Sequence, residues 1–571
     1  MYSKIHLKRN LLKAVLMATT GILLSTPAMA STTHKVTGNK AVSHTAKVVV
    51  RKYRSKSSKK RLYTLKSAGH GRYTMKAKYY VHSFTKFTLQ RTAKISGKTY
   101  YEVKSPAGYT GWIWSGYLGN PTTYYNFSKI TAVRLTVKAS ATNNFYNHVP
   151  GGDYGSGTLT HYGKNYRNKT MTVTGEAKKV YKTPYYRLSY NGKNFGWIYG
   201  GSLQSVATSK LTTYTQSGVA LQAFNKNNYK TVNNTNLFVT APKTYGTAPS
   251  YPSMSTSPNT IQYKKGTGTT TFTTDVYLPS SYHTSGDIGS AQSLVMDGNT
   301  AYVMYLIPST ANTTNEKGFV IKYNLAELRT LVKSSKDYAI LSRAFYNQRV
   351  QKTLTASQQK ALACMTIGPT FATGHGQSMA LNAKTKQIWF IGKSGKGTDT
   401  SNLQELNKTT LTPDKKINFV LGQNQNMPKN LTFDSNGNLY AFVENQSASL
   451  AAIGSVKIYK GTINANHTVT FNLVMQGLTH APGTYGQSIA VNPVNQRLYF
   501  VADGSISSVP ISKLGSLTAS DVRGENFKTV NASGKETATR EFEGLAFDQN
   551  GGGYLLTNDG VEIMKASNSN F

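Results

Sequence analysis

Gln487-Ser-Ile-Ala-Val-Asn492, followed by Tyr499-Phe-Val, has four relatives in the C-terminal part of the chain. Gln292-Ser-Leu-Val-Met-Asp297 leads to Tyr302-Val-Met, and Gln377-Ser-Met-Ala-Leu-Asn382 to Trp389-Phe-Ile. Lys429-Asn-Leu-Thr-Phe-Asp434 leads to Tyr440-Ala-Phe, and Glu543-Gly-Leu-Ala-Phe-Asp548 to Tyr554-Leu-Leu. The first residues of the five copies are 85, 52, 58 and 56 positions apart. Each copy reads as a short apolar strand, a turn with Asp or Asn, then an aromatic-bearing strand. Further short strands follow, such as Val456–Tyr459 and Val469–Val474.

Four short strands in about 55 residues build one blade of a β-propeller, so the spacing predicts five blades over residues 271–571. The long first interval is helical by pattern from Leu325 to Met365, with Leu328, Leu331, Leu341, Phe345 and Leu362 among its apolar members. It predicts a helical insertion in the first blade. Cys364, the single cysteine, reads as a small buried hydrophobe, because no thiol-enzyme motif surrounds it. The last copy runs out after Val561-Glu-Ile-Met564, one strand short, and Thr271–Leu278 is expected to supply the missing outer strand.

Repeat symmetry puts Gln292, Gln377, Lys429, Gln487 and Glu543 in one polar ring at the inner strand starts. Two readings stay open: they bond neighbouring backbone, or they face a sugar or other polar ligand, flanked by His375 and Tyr485. Asp297, Asp434 and Asp548 share their slot with Asn382 and Asn492, which favours a turn role. A glycosidase needs two carboxylates at a set separation, and only Glu543 belongs to the ring. No zinc-peptidase pattern and no Gly-x-Ser-x-Gly elbow occurs, and Ser57-x-x-Lys60 lies inside a basic run. No catalytic residue, metal ligand or cofactor is assigned.

The first two hundred residues carry another repeat. Tyr100-Tyr101 precedes Gly111-Trp112-Ile113-Trp114-Ser-Gly-Tyr-Leu118, and Tyr185-Tyr186 precedes Gly196-Trp197-Ile198-Tyr199-Gly-Gly-Ser-Leu203, at the same interval. Short alternating strands punctuated by Ser96-Gly97 and Asn191-Gly192 predict a small β-barrel per copy. These residues resemble the GW modules, a bacterial SH3-like barrel family that attaches secreted proteins to envelopes through wall polyanions such as teichoic acids. The resemblance covers modules at 46–120 and 128–204. It implies that Gly111, Trp112, Gly196 and Trp197 are mainly architectural, consistent with the large contribution of buried aromatics to cores.

Charge argues in the same direction. The chain carries 66 Lys plus Arg against 23 Asp plus Glu, a net charge of +43. Thirty of those cations and only Glu102, Asp153 and Glu176 lie between Ser31 and Gln204. Arg51, Lys52, Arg54, Lys56, Lys59, Lys60 and Arg61 form the densest run, with Lys76 and Lys78 nearby. Self-repulsion on that level points to a polyanionic partner. Nucleic acid would satisfy the same electrostatics; the compartment disfavours it.

That compartment follows from the first thirty residues. Lys4, Lys8, Arg9 and Lys13 precede the apolar stretch Ala14–Leu24, and Ala28-Met29-Ala30 supplies a cleavage pattern, so 1–30 reads as a secretory signal. No second stretch approaches the ~20 apolar residues that span a bilayer. One cysteine among 571 residues removes disulfide frameworks from consideration. Residues 31–45 are expected as a flexible segment and 205–270 as a semi-extended linker, rich in Thr, Pro and Ser at 240–258. The sequence thus predicts an all-β, secreted, wall-associated protein: two SH3-like barrels bound to teichoic or lipoteichoic acid, presenting a propeller. Its ligand is an unknown glycan or protein, in the manner of an adhesin. The alternative is an exported wall or glycan hydrolase.

Overall fold

Ser96 and Gly97 both take positive φ, 48° and 79°, between strands Lys86–Ile95 and Lys98–Lys104. Two such residues make a type I′ turn, whose twist matches that of the strands it joins. Asn191 and Gly192 (48° and 72°) do the same between Pro184–Tyr190 and Lys193–Tyr199. The computed structural model describes residues 32–568 apart from 43–46, 51–59, 82–84, 120–121, 127–133, 151–156, 180–183, 238–256, 267, 280–287, 350–351, 449, 482, 484–485, 531–532, 536–539 and 559. The stretch 1–30 expected as a secretory signal lies outside these residues. Two compact units result, Met1–Gly119 and Asn120–Phe571.

In the first unit, Thr33–Ala41 pairs with both Arg72–Val81 and Lys86–Ile95, which closes the sheet on itself. Residues 31–45, expected as a flexible segment, therefore contribute a barrel strand. Its side chains are mostly exposed, so no apolar alternation marked it. Val48, Val50, Leu62, Phe87, Val103 and Ile113 fill the interior.

The second unit begins with a related sheet around Leu135, Val137, Phe145, Met171, Leu188 and Ile198. Beyond it, the repeats fold as antiparallel sheets whose innermost strands are Ser290–Asp297, Ala380–Asn382, Thr432–Phe433, Gly486–Asn492 and Glu541–Phe547. Each contacts the next, and the last contacts the first, in a propeller-like cycle. Sheets stacked on both faces require strands that are apolar on both faces. This is why Ala301–Leu306 and Arg497–Ala502 are buried without a break.

Phe272–Tyr277 pairs with Glu562–Ala566 and so provides the fourth strand of the last repeat, where Thr271–Leu278 was expected. The helical stretch is broken into Leu325–Thr330, Ile340–Arg349 and Ala356–Ala363, capped by Asn324 and by a Thr355/Gln358 capping box. Leu328, Leu341, Phe345 and Cys364 pack with Val276 and Ile563.

The stretch expected as a linker departs most from expectation. Thr212–Val219 adds a parallel strand outside Pro413–Val420, and Lys230–Val232 another beside Gln476–Leu478. Thr260–Gly266 pairs antiparallel with Arg523–Val530. The Pro-rich 240–258 run lies almost wholly outside the described residues. Edge strands need only backbone pairing, and Thr212–Val219 buries none of its side chains, so composition alone reads as linker.

The second module is also fixed to the helices. Arg187 is buried and donates to Thr174 and to the Gln348 carbonyl, while Gln348 Nε2 donates to Ser189 Oγ at 2.9 Å. Arg134 Nη1 reaches the Ile367 carbonyl at 2.9 Å. A Cβ on Gly192 would stand 1.9 Å from the Gln359 carbonyl oxygen, so only glycine lets this turn meet the helix Ala356–Ala363.

Candidate functional site

Three regions bring chemistry-bearing residues together. The first is the surface of the first barrel. Arg61 and Tyr80 are cross-strand partners, and the guanidinium lies 4.4 Å from the ring centroid and donates to the hydroxyl. Lys60 Nζ sits 4.1 Å from the Tyr117 ring, Lys78 Nζ 5.0 Å from Tyr79 and Lys98 Nζ 5.6 Å from Trp114. Tyr80 and Tyr109 are 57% and 52% exposed. Arg91–Glu102, at 4.0 Å, is the one ion pair among this unit's described residues. The surface therefore combines uncompensated cations with aromatic faces. Lys76 is exposed on the same hairpin; Arg51, Lys52, Arg54, Lys56 and Lys59 lie outside the described residues.

The Gly-Trp residues point the other way. Trp112 packs with Ala93 and Ile95, and Trp197 with Val149 and Ala177, at 6% and 3% exposure. A Cβ on Gly111 would meet Leu62 Cβ at 2.9 Å; on Gly196, at φ 101°, it would meet the Tyr146 carbonyl oxygen at 2.3 Å. Both glycines permit close strand approach over a buried indole.

The second region is the polar ring at one end of the inner strands. Gln292, Gln487 and Glu543 each sit at a register shift, between Ala291 and Ser293, Gly486 and Ser488, and Phe542 and Gly544. An extra residue of this kind leaves the ladder and is re-aimed. Gln292 Nε2 donates to Glu543 Oε1 at 3.3 Å and to its neighbour's carbonyl. Gln377 Nε2 donates to Gln487 Oε1 at 2.5 Å, and Gln487 Nε2 to Asp503 Oδ1 at 3.2 Å. Asn558 Nδ2 adds a bond to Glu543 Oε1 at 3.2 Å. Four of the five ring residues thus fall into two bonded pairs, Gln292 with Glu543 and Gln377 with Gln487. Lys429 is exposed, three residues before the strand Thr432–Phe433. Burial holds the Glu543 carboxyl well above the ordinary carboxylate range, reinforced by Glu541 and Asp503. Glu541 and Asp503 escaped the sequence reading; the Glu-x-Glu spacing was the available signal for the former. Tyr485 lies outside the described residues.

The third region is a cleft of about 380 Å³ at the same end, between the first two repeats. His375 lines it and holds Glu316 through Nδ1 at 3.0 Å. Asn402 and Gln404 lie on its wall, joined at 2.9 Å, and Lys393, Lys416 and Lys429 border it. The lysines of the cleft left no periodic signal in the sequence beyond Lys429.

At the opposite end, a channel of about 370 Å³ touches all the inner strands. There Asp434 accepts from the backbone N–H of Asn436 and Asn438, and Asp548 from Asn550 and Gly552. Asn382 and Asn492 accept likewise in their turns. Asp297 pairs with Lys408 at 2.7 Å. The shared slot is a turn position. Cys364 Sγ donates to the Lys360 carbonyl, and burial pushes its thiol up to about 11.

Among the described residues no helix is long and apolar enough to cross a membrane, and no group of His, Cys, Asp and Glu has metal-holding geometry. The GW (Gly-Tryp) dipeptide domain matches residues 38–118 and 128–204. Protein Ami of Listeria monocytogenes serotype 1/2a is 32% identical over 130 residues, which span 22% of this chain and 13% of Ami. A candidate autolysin structure from Listeria monocytogenes aligns over 35% of this chain and 79% of its own, at 17% identity and a TM-score of 0.17. The soluble aldose sugar dehydrogenase of Escherichia coli aligns over 49% and 96%, at 12% identity and a TM-score of 0.24. Scores of this size do not establish a shared fold. The paired Gly-Trp strands, their buried indoles and the family match agree: this chain carries two GW dipeptide domains in tandem.

Proposed function

We propose that this is an exported protein, cleaved after its first thirty residues, whose GW modules hold it to the cell envelope by binding anionic wall polymers such as teichoic or lipoteichoic acid. The C-terminal repeats, in this reading, form a five-bladed propeller over residues 271–571, with outer strands contributed from 205–270. The propeller presents a binding surface for a glycan or a protein, with the ring Gln292, Gln377, Lys429, Gln487 and Glu543 at one mouth.

The observation that carries the reading is the first barrel's surface, where Lys60, Arg61 and Lys78 lie on tyrosine rings with acids nearly absent. Each Lys or Arg near an anionic surface contributes about 1 kcal/mol, so a dozen facing one way give firm, salt-sensitive attachment. Full-length protein is expected to bind purified walls at low salt, and to lose binding with rising salt or after chemical removal of the anionic polymers. Retention by polymer-free walls at high salt would sink the proposal.

The hydrolase alternative rests on the Glu541/Glu543 pair. Those carboxyls hydrogen-bond to each other, whereas a glycosidase pair stands about 5–9.5 Å apart with the sugar between. The geometry favours a binding role. Release of wall fragments by the protein, abolished in Glu543→Gln, would reverse that preference.

A further inference from the structure

We propose that the cleft between the first two repeats is a binding site for an anionic saccharide, a sugar unit bearing a carboxylate or a phosphate. The inference rests on the propeller being a ligand-binding platform, and it names the ligand class.

Strand register brings the cleft's polar groups together. Gln404 stands opposite Lys416 and Asn402 opposite Lys393, across three neighbouring strands. Residues directly opposite in an antiparallel pair share a face, so two amides and two ammonium groups point together. Gly392 is the extra residue at the register shift between Ile391 and Lys393. A Cβ there would meet Gln404 Nε2 at 2.0 Å, so the glycine leaves room for the amide. Lys429 enters from the start of the third repeat.

The lysine next in sequence to Lys416 is neutralised: Lys415 pairs with Glu405 at 2.7 Å. Lys393, Lys416 and Lys429 have no acidic partner among the described residues. The facing carboxylate, Glu316, is engaged by His375 and by the Asn312 N–H at 2.9 Å. These five are the titratable groups that line the cleft. Its net charge is positive, and its volume falls within the ~300–1,000 Å³ of small-ligand sites.

Cations alone would hold any anion; the amides narrow the choice. Asn402 and Gln404 are 8% and 7% exposed and bonded to each other, a preformed donor–acceptor surface. Hydroxyls of Thr313, Thr314 and Ser394 continue the polar lining. Amides and hydroxyls match the alternating donors and acceptors of a sugar ring, and lysines match its acidic substituent.

Calorimetric titration of the full chain with glucuronic acid, glucose 6-phosphate, glucose and inorganic phosphate tests this. Glucuronic acid or glucose 6-phosphate should bind at least about tenfold more tightly than glucose and than inorganic phosphate, and whichever binds identifies the acid group. Lys393→Gln/Lys416→Gln should weaken that binding about tenfold, the size expected for lost charge-assisted hydrogen bonds. Asn402→Leu should erase the preference for the sugar acid over inorganic phosphate. Equal binding of inorganic phosphate, or binding unchanged in the double-lysine variant, would overturn the proposal; the second result would place the anions on the basic modules. Wall retention of the double-lysine variant should match that of the parent protein, so failure of the cleft and failure of the wall anchor are read separately.

Discussion

Glu543 is fully buried, and desolvation favours its protonated form. A carboxyl whose pKa is raised on folding stabilises the fold relatively most below the unfolded carboxylate pKa. That stability is lost as pH rises above it. Glu543→Gln removes the titration and keeps the shape, so it should raise the melting temperature at pH 7 and leave it nearly unchanged at pH 4. About 1 kcal/mol would shift the midpoint by roughly 1–2 °C in a domain of this size. Thermal scans at both pH values check this; equal shifts at both would contradict it. Gly196→Ala should cost about 1–3 kcal/mol or more, since its φ of 101° and the Tyr146 carbonyl at 2.3 Å leave no place for a methyl group. Denaturant unfolding of the variant measures it. Gly111 and Gly196 were legible because a Gly-Trp pair recurs at a fixed interval. Lys416 was not, because only strand register shows that it shares a face with Gln404 while Lys415 pairs with Glu405.

Phe272–Tyr277 illustrates what repeats reveal and what they hide. Its place could be inferred because the last repeat was one strand short, and it pairs as inferred with Glu562–Ala566. Phe272 is wholly buried among Ile261, Tyr499 and Met564. Phe272→Ala should therefore cost about 3–5 kcal/mol, measurable by urea unfolding, and a negligible change would mean that the strand does not tie the cycle shut. Removing all residues before 280 should lower the melting temperature still further. The second strands of the repeats were legible for a physical reason: stacked on both faces, Ala301–Leu306 and Leu498–Ala502 carry an unbroken apolar and aromatic run. Thr212–Val219 was not, since a strand on an outer edge bonds through its backbone and leaves all but Tyr214 and Gln216 of its side chains exposed. The register shifts at Gln292, Gln487 and Glu543 left no trace in the residue pattern either, yet they aim the ring.

Charge is distributed unequally over the molecule. Cations crowd the barrels, whereas the repeat region keeps buried acids such as Glu543 and Glu562. Salt should therefore weaken the proposed wall attachment much more than it weakens the fold, because exposed charges are screened over a Debye length of about 10 Å at 0.1 M. Parallel salt titrations of wall binding and of melting temperature would separate the two. The strands from 205–270 carry a further consequence. After the second module, the chain crosses the rim of one repeat after another before it enters the cycle, like a hoop around staves. A break engineered within 238–256 would leave each piece zipped to the same staves by its own backbone bonds. The two polypeptides should then copurify and reassemble when made separately, behaving as a split protein rather than as a detachable tether and cargo.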